Sequence, residues 1–255
     1  MRETCTKDIR NIVVKVGTSV LTTAGRFDKT RIVKLADEIS NFLKKGLHVS
    51  VVSSGAIGAG MTLVHQKTRP STMEGLQALA AIGQRYLMQC WEEAFSKYKY
   101  STAQVLLTRD DMVDEKRRMN AKKTLNEIQR LKHVPIVNEN DTVATEEIKF
   151  GDNDQLSAML AELIQADLLL ILSDTDGLYD SDGNKISVVG ANDSSIFSHV
   201  NDKKSHFTVG GMKSKLEAIR KCTRAGIPVT LTSGSTTNIL HRIEKDELFG
   251  TRFLA

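Results

Sequence analysis

The chain has 255 residues, of which 40% are hydrophobic and 26% charged, as in an ordinary globular protein that buries a sizeable core. Its formal net charge of +4 at pH 7 permits anionic ligands without requiring nucleic acid. An aromatic content of 5% argues against a base-stacking surface, and no apolar run approaches the length of a membrane span.

Strand-like and helix-like segments alternate through the first half of the chain. Residues 12–16 form an apolar run around Lys15, which predicts a buried parallel strand, and Asp28 is expected to cap a helix that ends near Lys45. The pattern continues with strands predicted over 47–52 and 103–107 and with helices predicted over 73–97 and 114–132.

The second half of the chain repeats this alternation without an internal repeat. Strands are predicted over 134–137, 168–172 and 228–232, helices over 155–166 and 236–245, a helix that ends at Gly226, a tight hairpin turn over 181–184 and an edge strand over 249–253. Strands that alternate with helices predict an α/β protein with a largely parallel sheet.

Polar or glycine-rich segments follow four of the predicted strands, at 15–19, 53–60, 138–141 and 173–176. In open α/β sheets, ligands bind at the carboxyl ends of the strands. The recurrence of polar residues at these ends therefore predicts one site along a single edge of the sheet. The stretch over 136–159 is the richest in such residues.

Acids and amides are densest between 138 and 154, where Glu139, Asp141, Asp152 and Asp154 stand among several asparagines. A solvated loop with one capping aspartate would account for part of this composition, but one cap requires fewer polar groups. We therefore expect these side chains to point into a cleft, where the N-terminus of the next helix adds free N–H donors.

Lys15 interrupts an apolar run, and burying a lysine is costly unless an anion meets it. A lysine that extends from the strand end to solvent is the alternative, but the neighbouring Gly-Thr-Ser favours an anion site. Gly55, Gly58 and Gly60 would allow the backbone to approach a ligand, although packing between a helix and a strand explains Gly58 and Gly60 equally well. Neither a GxGxxG nor a P-loop spacing is present.

Gly210 and Gly211 precede a predicted helix and are followed by Lys213 and Lys215. Glycines and lysines at a helix start are typical of a mobile loop that contacts phosphate. An ordinary glycine turn with solvated lysines is an equally good explanation from the residues alone.

Taken together, these segments resemble the amino acid kinase family. The resemblance is carried by VVKVGTSVLT (13–22), VVSSGAIGAG (51–60), LLTRDDM (106–112), VPIVNENDTVATEEIKFGDNDQLSA (134–158), LSDTDGLY (172–179) and GGMKSKLEA (210–218), in family order over nearly the whole chain. The NEND and GDND motifs are similar to those of the family members that phosphorylate glutamate. The implied fold is a three-layer α/β/α sandwich around a largely parallel central sheet.

The resemblance implies ATP-dependent phosphorylation of the side-chain carboxylate of L-glutamate to L-glutamyl 5-phosphate, the first step of proline synthesis. It implies that Lys15 and Lys215 contact the transferring and leaving phosphoryl oxygens and that Asp154 orients both lysines. The implied glutamate-binding residues are Ser54, Asn138, Asp141, Asp152 and Asn153. The implied nucleotide-binding residues are Lys15, Ser173, Asp174, Val209, Gly210, Gly211, Met212, Lys213, Ser214 and Lys215.

The resemblance also implies one kinase domain over residues 1–255, with a substrate-side lobe up to about 170 and a nucleotide-side lobe from about 171. Many relatives carry a further C-terminal PUA domain, which we expect this chain to lack because it ends just past the kinase motifs. Relatives often have Thr in place of Val209 and Ser-Thr-Lys in place of residues 213–215, so the nucleotide contacts there are expected to differ.

Mg²⁺ is expected to arrive with ATP rather than on a protein ligand set. Further implications of the resemblance are a homo-oligomer, L-proline as a feedback inhibitor and hand-off of the product to glutamate-5-semialdehyde dehydrogenase, with no nucleic-acid or membrane partner. Three distant cysteines without zinc or disulfide spacing, and a charged N-terminus without an apolar signal core, favour the cytoplasm.

Two alternatives remain open at this point. One is another member of the family that acts on a different carboxylate or phosphate substrate. The other is a non-catalytic module that binds a nucleotide or RNA, although two lysines in separate segments argue against it. Measuring ATP consumption with and without glutamate distinguishes these classes.

Overall fold

The computed structural model describes residues 9–144, 153–191, 193, 196 and 210–255. Within these residues the strands are β1 (Asn11–Val16), β2 (Thr22–Thr23), β3 (Arg26–Phe27), β4 (His48–Ser53), β5 (Ser101–Leu107), β6 (His133–Glu139), β7 (Leu168–Ser173), β8 (Leu178–Tyr179), β9 (Lys185–Ile186), β10 (Val188–Val189), β11 (Val229–Ser233) and β12 (Thr251–Phe253). The helices are α1 (Lys29–Lys44), α2 (Ala56–Leu63), α3 (Met73–Ser96), α4 (Arg109–Val113), α5 (Glu115–Arg130), α6 (Asp154–Leu163), α7 (Gly210–Arg224) and α8 (Ile239–Glu244), and a short 3₁₀ helix covers Thr18–Leu21.

The central sheet has the strand order β10-β12-β11-β7-β1-β4-β6-β5 in the described part of the chain. Neighbouring strands are parallel except for β11 and β12, which are antiparallel. β1 lies in the middle, with β4 on one side and β7 on the other. The strands of this sheet from β4 to β6 are therefore added on one side of β1, and those from β7 onward are added on the other side. Ligands of open α/β sheets bind beside the carboxyl ends of strands at such a point.

Side chains of β1 alternate between two apolar cores because successive residues of a strand point to opposite faces. Ile12, Val14 and Val16 belong to the core covered by α1, α2, α3 and α8. Val13 belongs to the opposite core, covered by α4, α5, α6 and α7. The protein is therefore a three-layer α/β/α sandwich around a largely parallel sheet, and this prediction is confirmed.

Helices α2 and α3 approach each other unusually closely, and two glycines make the approach possible. A Cβ atom at Gly60 would lie 2.0 Å from the Leu79 carbonyl oxygen, and one at Gly83 would lie 1.9 Å from the Ala56 carbonyl oxygen. Gly60 thus packs a helix against a helix, whereas a Cβ at Gly58 would meet no described atom within 4 Å. The predicted glycine segment therefore includes a helix, α2, that the sequence pattern did not predict.

The predicted edge strand over 249–253 is wrong in its position. β12 lies inside the sheet, between β10 and β11. The Thr251 hydroxyl accepts a hydrogen bond from the backbone N–H of Leu178 at 2.7 Å and donates one to the Ile186 carbonyl at 2.6 Å. These bonds attach the β8–β9 hairpin, whose prediction is confirmed, to the sheet. None of the described helices is both long enough and apolar enough to cross a membrane.

Candidate active site

A buried ion cluster lies at the centre of the sheet, at the carboxyl end of β1. The Lys15 Nζ lies 2.5 Å from Asp154 Oδ1, and the Lys215 Nζ lies 3.4 Å from Asp154 Oδ2. Lys15 and Asp154 are almost completely buried, whereas 13% of the Lys215 side chain remains exposed. Lys215 Nζ also donates to the Gly211 carbonyl at 3.2 Å. Two cations and one carboxylate give this cluster a net charge of +1, which favours an anion.

Strand periodicity explains why Lys15 reaches this cluster. Its register partners are Val52 on β4 and Ile171 on β7, and both belong to the core beneath α6 and α7. Lys15 therefore points to the same face, where Asp154 occupies the first turn of α6. Lys15 is buried rather than extended into solvent, and it lies beside Asp154. The predicted anion site at Lys15 stays a prediction.

Lys215 comes from the first turns of α7, which packs beside α6. The Gln155 side chain donates to the Ser214 carbonyl at 3.5 Å, and Cys222 Sγ lies 3.9 Å from the Ala158 carbonyl oxygen. The prediction of a loop is wrong for residues 210–215, the described part of this segment, because these residues are helical. Packing of α7 against α6 offsets the low helix propensity of two adjacent glycines. Lys213 is exposed and Ser214 is half-buried.

A chain of side-chain amides runs beside the ion cluster. Asn153 Nδ2 donates to the Ser54 Oγ at 3.1 Å and to the Asn138 Oδ1 at 2.7 Å. Asn138 Nδ2 donates in turn to Gln84 Oε1 at 2.8 Å. All four side chains are buried. The structure thus joins three predicted substrate residues, at the end of β4, on β6 and at the start of α6, to Gln84, which the sequence analysis missed.

Gln84 was detectable from helical spacing. The core-facing residues of α3 include Ala80, Leu87 and Trp91, which lie four residues before position 84 and three and seven residues after it. A glutamine on this apolar stripe requires a polar partner in the core. Its Asn138 partner is 54 positions away, so only the folded structure identifies the partner.

Two carboxylates lie beyond the amide chain, at the end of β6. Glu139 and Asp141 line a cavity of about 370 Å³ between α3 and β5, together with Gln84, Arg85, Met88 and Gln104. Burial raises the pKa of Asp141 to about 6, and the nearby Arg69 opposes this shift. Burial, and then the charge of Asp141, raise the pKa of Glu139. At neutral pH the cavity thus presents carboxylate acceptors suited to an ammonium group.

The carboxyl end of β7 carries Ser173 and Asp174. Ser173 is buried, Asp174 is exposed, and the Ser173 hydroxyl donates to Asp174 Oδ1 at 2.9 Å. The backbone N–H of Gly17 donates to the Leu172 carbonyl at 3.3 Å, which keeps the ends of β1 and β7 together. These two residues consequently lie on the β7 side of β1, whereas the amide chain lies on the side of β4 and β6. The predicted residues Asp152 and Val209 lie outside the described residues.

No group of three or more His, Cys, Asp or Glu side chains in the described part of the chain is arranged to bind a metal ion. The arrangement that is present can hold an anion against Lys15 and Lys215 and an ammonium group against Glu139 and Asp141. Buried amides separate the two positions. Such a site can bind two ligands together, one that donates an anionic group and one that carries an amine and accepts this group.

Comparisons with known proteins identify relatives of this chain. A model of the amino acid kinase family matches residues 10–233. The glutamate 5-kinase of Nitrosomonas eutropha is 42% identical over 262 residues, which cover 100% of this chain and 70% of that protein. The glutamate 5-kinases of a Thermoanaerobacter species and of Nitrosococcus oceani are each 43% identical, over 95% and 96% of this chain and 67% of each relative.

Among solved structures, a carbamate kinase from Giardia has a TM-score of 0.68 and 17% sequence identity over 97% of this chain and 99% of its own. A Giardia lamblia carbamate kinase bound to AMP-PNP has the same TM-score at 16% identity, over 98% and 99%. These two likenesses support the fold.

Proposed function

The chain belongs to the amino acid kinase family, and from this premise we propose that it has glutamate 5-kinase activity, the transfer of the γ-phosphoryl group of ATP to the side-chain carboxylate of L-glutamate. Its identity of 41–43% to glutamate 5-kinases over most of the chain supports this reaction. The observation that carries the proposal is the buried cluster of Lys15, Asp154 and Lys215, which a chain of buried amides separates from the cavity lined by Glu139 and Asp141.

The reaction needs no general base. The side-chain carboxyl of glutamate has an unperturbed pKa of about 4.3 and is already a nucleophile at neutral pH. One of its oxygens forms a bond to the γ-phosphorus while the bond from that phosphorus to the β,γ-bridging oxygen breaks. The electron pair leaves with ADP, and the product is an acyl phosphate. The obstacle is the repulsion between the carboxylate and the polyphosphate.

Lys15 and Lys215 offset this repulsion. Their ammonium groups both contact the Asp154 carboxylate, and in a water-poor site such preorganised charges stabilise charge that develops on the phosphoryl oxygens. Asp154 contacts both lysines through different oxygens, so it holds the two cations at a defined separation. We assign Lys15 and Lys215 to the phosphoryl group and Asp154 to their positioning.

The glutamate side of the site comprises Ser54, Asn138, Asn153 and Asp141, with Asp152 added from the family resemblance. Asp141 lies in the cavity beside Glu139, and its carboxylate accepts from the ammonium group of the amino acid. The nucleotide side comprises Ser173, Asp174 and residues 209–215. Mg²⁺ binds to the ATP phosphates and adds positive charge there, and the lysines complement it.

The family resemblance supports further proposals about the whole protein. Residues 1–255 form one kinase domain, whose substrate side up to about 170 and nucleotide side from about 171 meet at β1. The protein is a cytoplasmic homo-oligomer that is inhibited by L-proline and passes its unstable product to glutamate-5-semialdehyde dehydrogenase.

A hydroxamate assay for acyl phosphate over a panel of amino acids, with Mg-ATP, tests the activity. We expect hydroxamate to form with L-glutamate and ATP consumption to require glutamate. Product from aspartate or another acid, without product from glutamate, would identify a different member of the family. ATP binding without turnover of any acid in the panel would contradict the kinase proposal.

A further inference from the structure

We infer that Gln84 is a positioning residue of the amino-acid pocket, one that fixes the orientation of the Asn138 amide and presents its own N–H group to the substrate. This inference rests on the proposed function, because it assigns a role to Gln84 in binding the phosphoryl acceptor. Gln84 belongs to α3, outside the motifs that carry the family resemblance.

A backbone donor determines how the Asn138 amide is oriented. The backbone N–H of Glu139 can only donate, and it lies 2.9 Å from the Asn138 Oδ1. The same oxygen accepts from Asn153 Nδ2 at 2.7 Å. The other end of the Asn138 amide is therefore its Nδ2, and this group needs an acceptor. Gln84 Oε1 is that acceptor, at 2.8 Å.

This orientation propagates to Gln84. Its Oε1 faces Asn138, so its Nε2 points away from the amide chain. Gln84 is 8% exposed, and its buried Nε2 has no hydrogen-bond partner among the described residues. A buried donor without an acceptor is unfavourable. Gln84 also lines the cavity that contains Glu139 and Asp141.

A bound amino acid supplies the missing acceptor. Glu139 and Asp141 offer only oxygens when ionised, so the ammonium group of the substrate lies near them. A carboxylate oxygen of the same amino acid is the complementary group for the Gln84 Nε2. The cavity then contains an acceptor for the ammonium group and a donor for the carboxylate.

The backbone geometry holds Gln84 in place. The adjacent Gly83 brings α3 against the α2 backbone, at a separation that leaves no space for a Cβ atom. Two turns further along the same face, Trp91 Nε1 donates to the Ser53 Oγ at 3.0 Å, which attaches α3 to the end of β4. Gln84 is thus held between two anchored points.

The test compares Gln84→Met with Gln89→Met on the same helix. Methionine keeps the length and helix propensity of glutamine but removes its hydrogen bonds. We expect Gln84→Met to raise the KM for glutamate by about 10–100-fold, with the KM for ATP within about two-fold of wild type. Gln89 is exposed and bonds only to Glu93 among the described side chains, so Gln89→Met should leave both KM values unchanged.

A double-variant cycle with Asn138→Ala tests whether Gln84 acts through Asn138. The two substitutions should be partly non-additive, so that Gln84→Met raises the KM for glutamate less once Asn138 is absent than it does alone, and the remaining increase reports the direct bond from Gln84 to the substrate. Full additivity, equal increases in both KM values, or a wild-type KM for glutamate would overturn the inference. If Gln84→Met does not melt cooperatively, Gln84→Leu replaces it in the cycle, since leucine also removes both hydrogen-bonding groups of the glutamine side chain.

Failure of the inference is distinguishable from failure of the proposed function. A wild-type protein that forms no acyl phosphate with glutamate refutes the proposed function. The affinity of the same variants for whichever acid of the panel binds is then measured by titration calorimetry, which tests the role of Gln84 separately. An active wild type with an unaffected Gln84→Met variant refutes the role of Gln84 alone.

Discussion

Lys15 on β1 and Asp154 on α6 form a buried ion pair, with Nζ and Oδ1 2.5 Å apart and almost no exposed surface on either side chain. Asp154 stands in the first turn of α6, where a carboxylate would also interact favourably with the helix dipole. Its contacts with two lysines show that it is more than a helix-terminal charge. The residue before it, Asn153, does not cap the helix with its side chain, which instead donates hydrogen bonds to Ser54 and Asn138.

Replacing Asp154 by asparagine should reduce both turnover and stability. Turnover should fall by about 10²-fold or more because both lysines lose their common anchor. A buried lysine deprived of its carboxylate costs about 3–5 kcal/mol of unfolding free energy. Acyl phosphate formation and urea denaturation measure the two effects. Adding Lys15→Met should restore part of the stability but no activity, whereas Glu162→Gln on the same helix should change neither quantity.

Lys215→Ala should lower kcat by roughly 10²–10³, the effect of losing one preorganised charge at the phosphoryl group. Lys221→Ala is the matched control, because Lys221 lies on the same helix and forms only an exposed pair with Glu162 in the described structure. Steady-state kinetics separate the effects on kcat and KM. A Lys215→Ala variant with normal kcat and only a raised KM for ATP would contradict a role in the chemical step.

Asp141→Asn should raise the KM for glutamate far more than the KM for ATP. A charge-assisted hydrogen bond to the substrate ammonium group contributes about 1.5–3 kcal/mol, or about 10–100-fold in KM. The wild-type KM for glutamate should also rise as pH falls through about 6, because the raised pKa protonates Asp141 there. The asparagine variant should lack this pH dependence. Parallel increases in both KM values would mark Asp141 as structural.

The same pKa predicts a pH dependence of stability. The folded-state pKa of about 6 lies above the ordinary value of 3.8, so the folded protein holds this proton more tightly than the unfolded chain. The contribution of Asp141 to stability is therefore most favourable below about pH 4 and is lost as pH rises to about 6, by up to about 3 kcal/mol. Urea denaturation of wild type and Asp141→Asn between pH 4 and 7 should show the two proteins converging at the acid end.

Gly83→Ala should destabilise the protein and weaken glutamate binding. Its Cβ would lie 1.9 Å from the Ala56 carbonyl oxygen and 2.3 Å from the Gly60 backbone nitrogen, so the helices must separate. Such overpacking costs about 1–3 kcal/mol or more and should displace the adjacent Gln84. Gly58→Ala is the control, since no described atom lies within 4 Å of its new Cβ and alanine favours the helix. An unchanged melting temperature for Gly83→Ala would contradict this account of the contact.

Local sequence determined most of the secondary structure and the edge of the sheet at which the site lies. The mostly apolar runs of β1, β4 and β7 predict buried parallel strands, and polar residues at the end of each run mark the carboxyl ends where ligands bind. Asp28 was predicted as a helix cap, and its carboxylate accepts from the backbone N–H of Thr30. These features depend on neighbours in the chain, so they can be predicted without the fold.

Tertiary structure alone decided which of these residues meet. Lys15, Asp154 and Lys215 come from three elements, and their contact depends on the parallel packing of α6 and α7 over β1. The same packing makes residues 210–215 helical, although a glycine pair locally favours a turn. Gln84 entered the site only because α3 lies close enough to β6 to reach Asn138. Contacts between distant segments depend on the relative positions of whole elements, which no local pattern encodes.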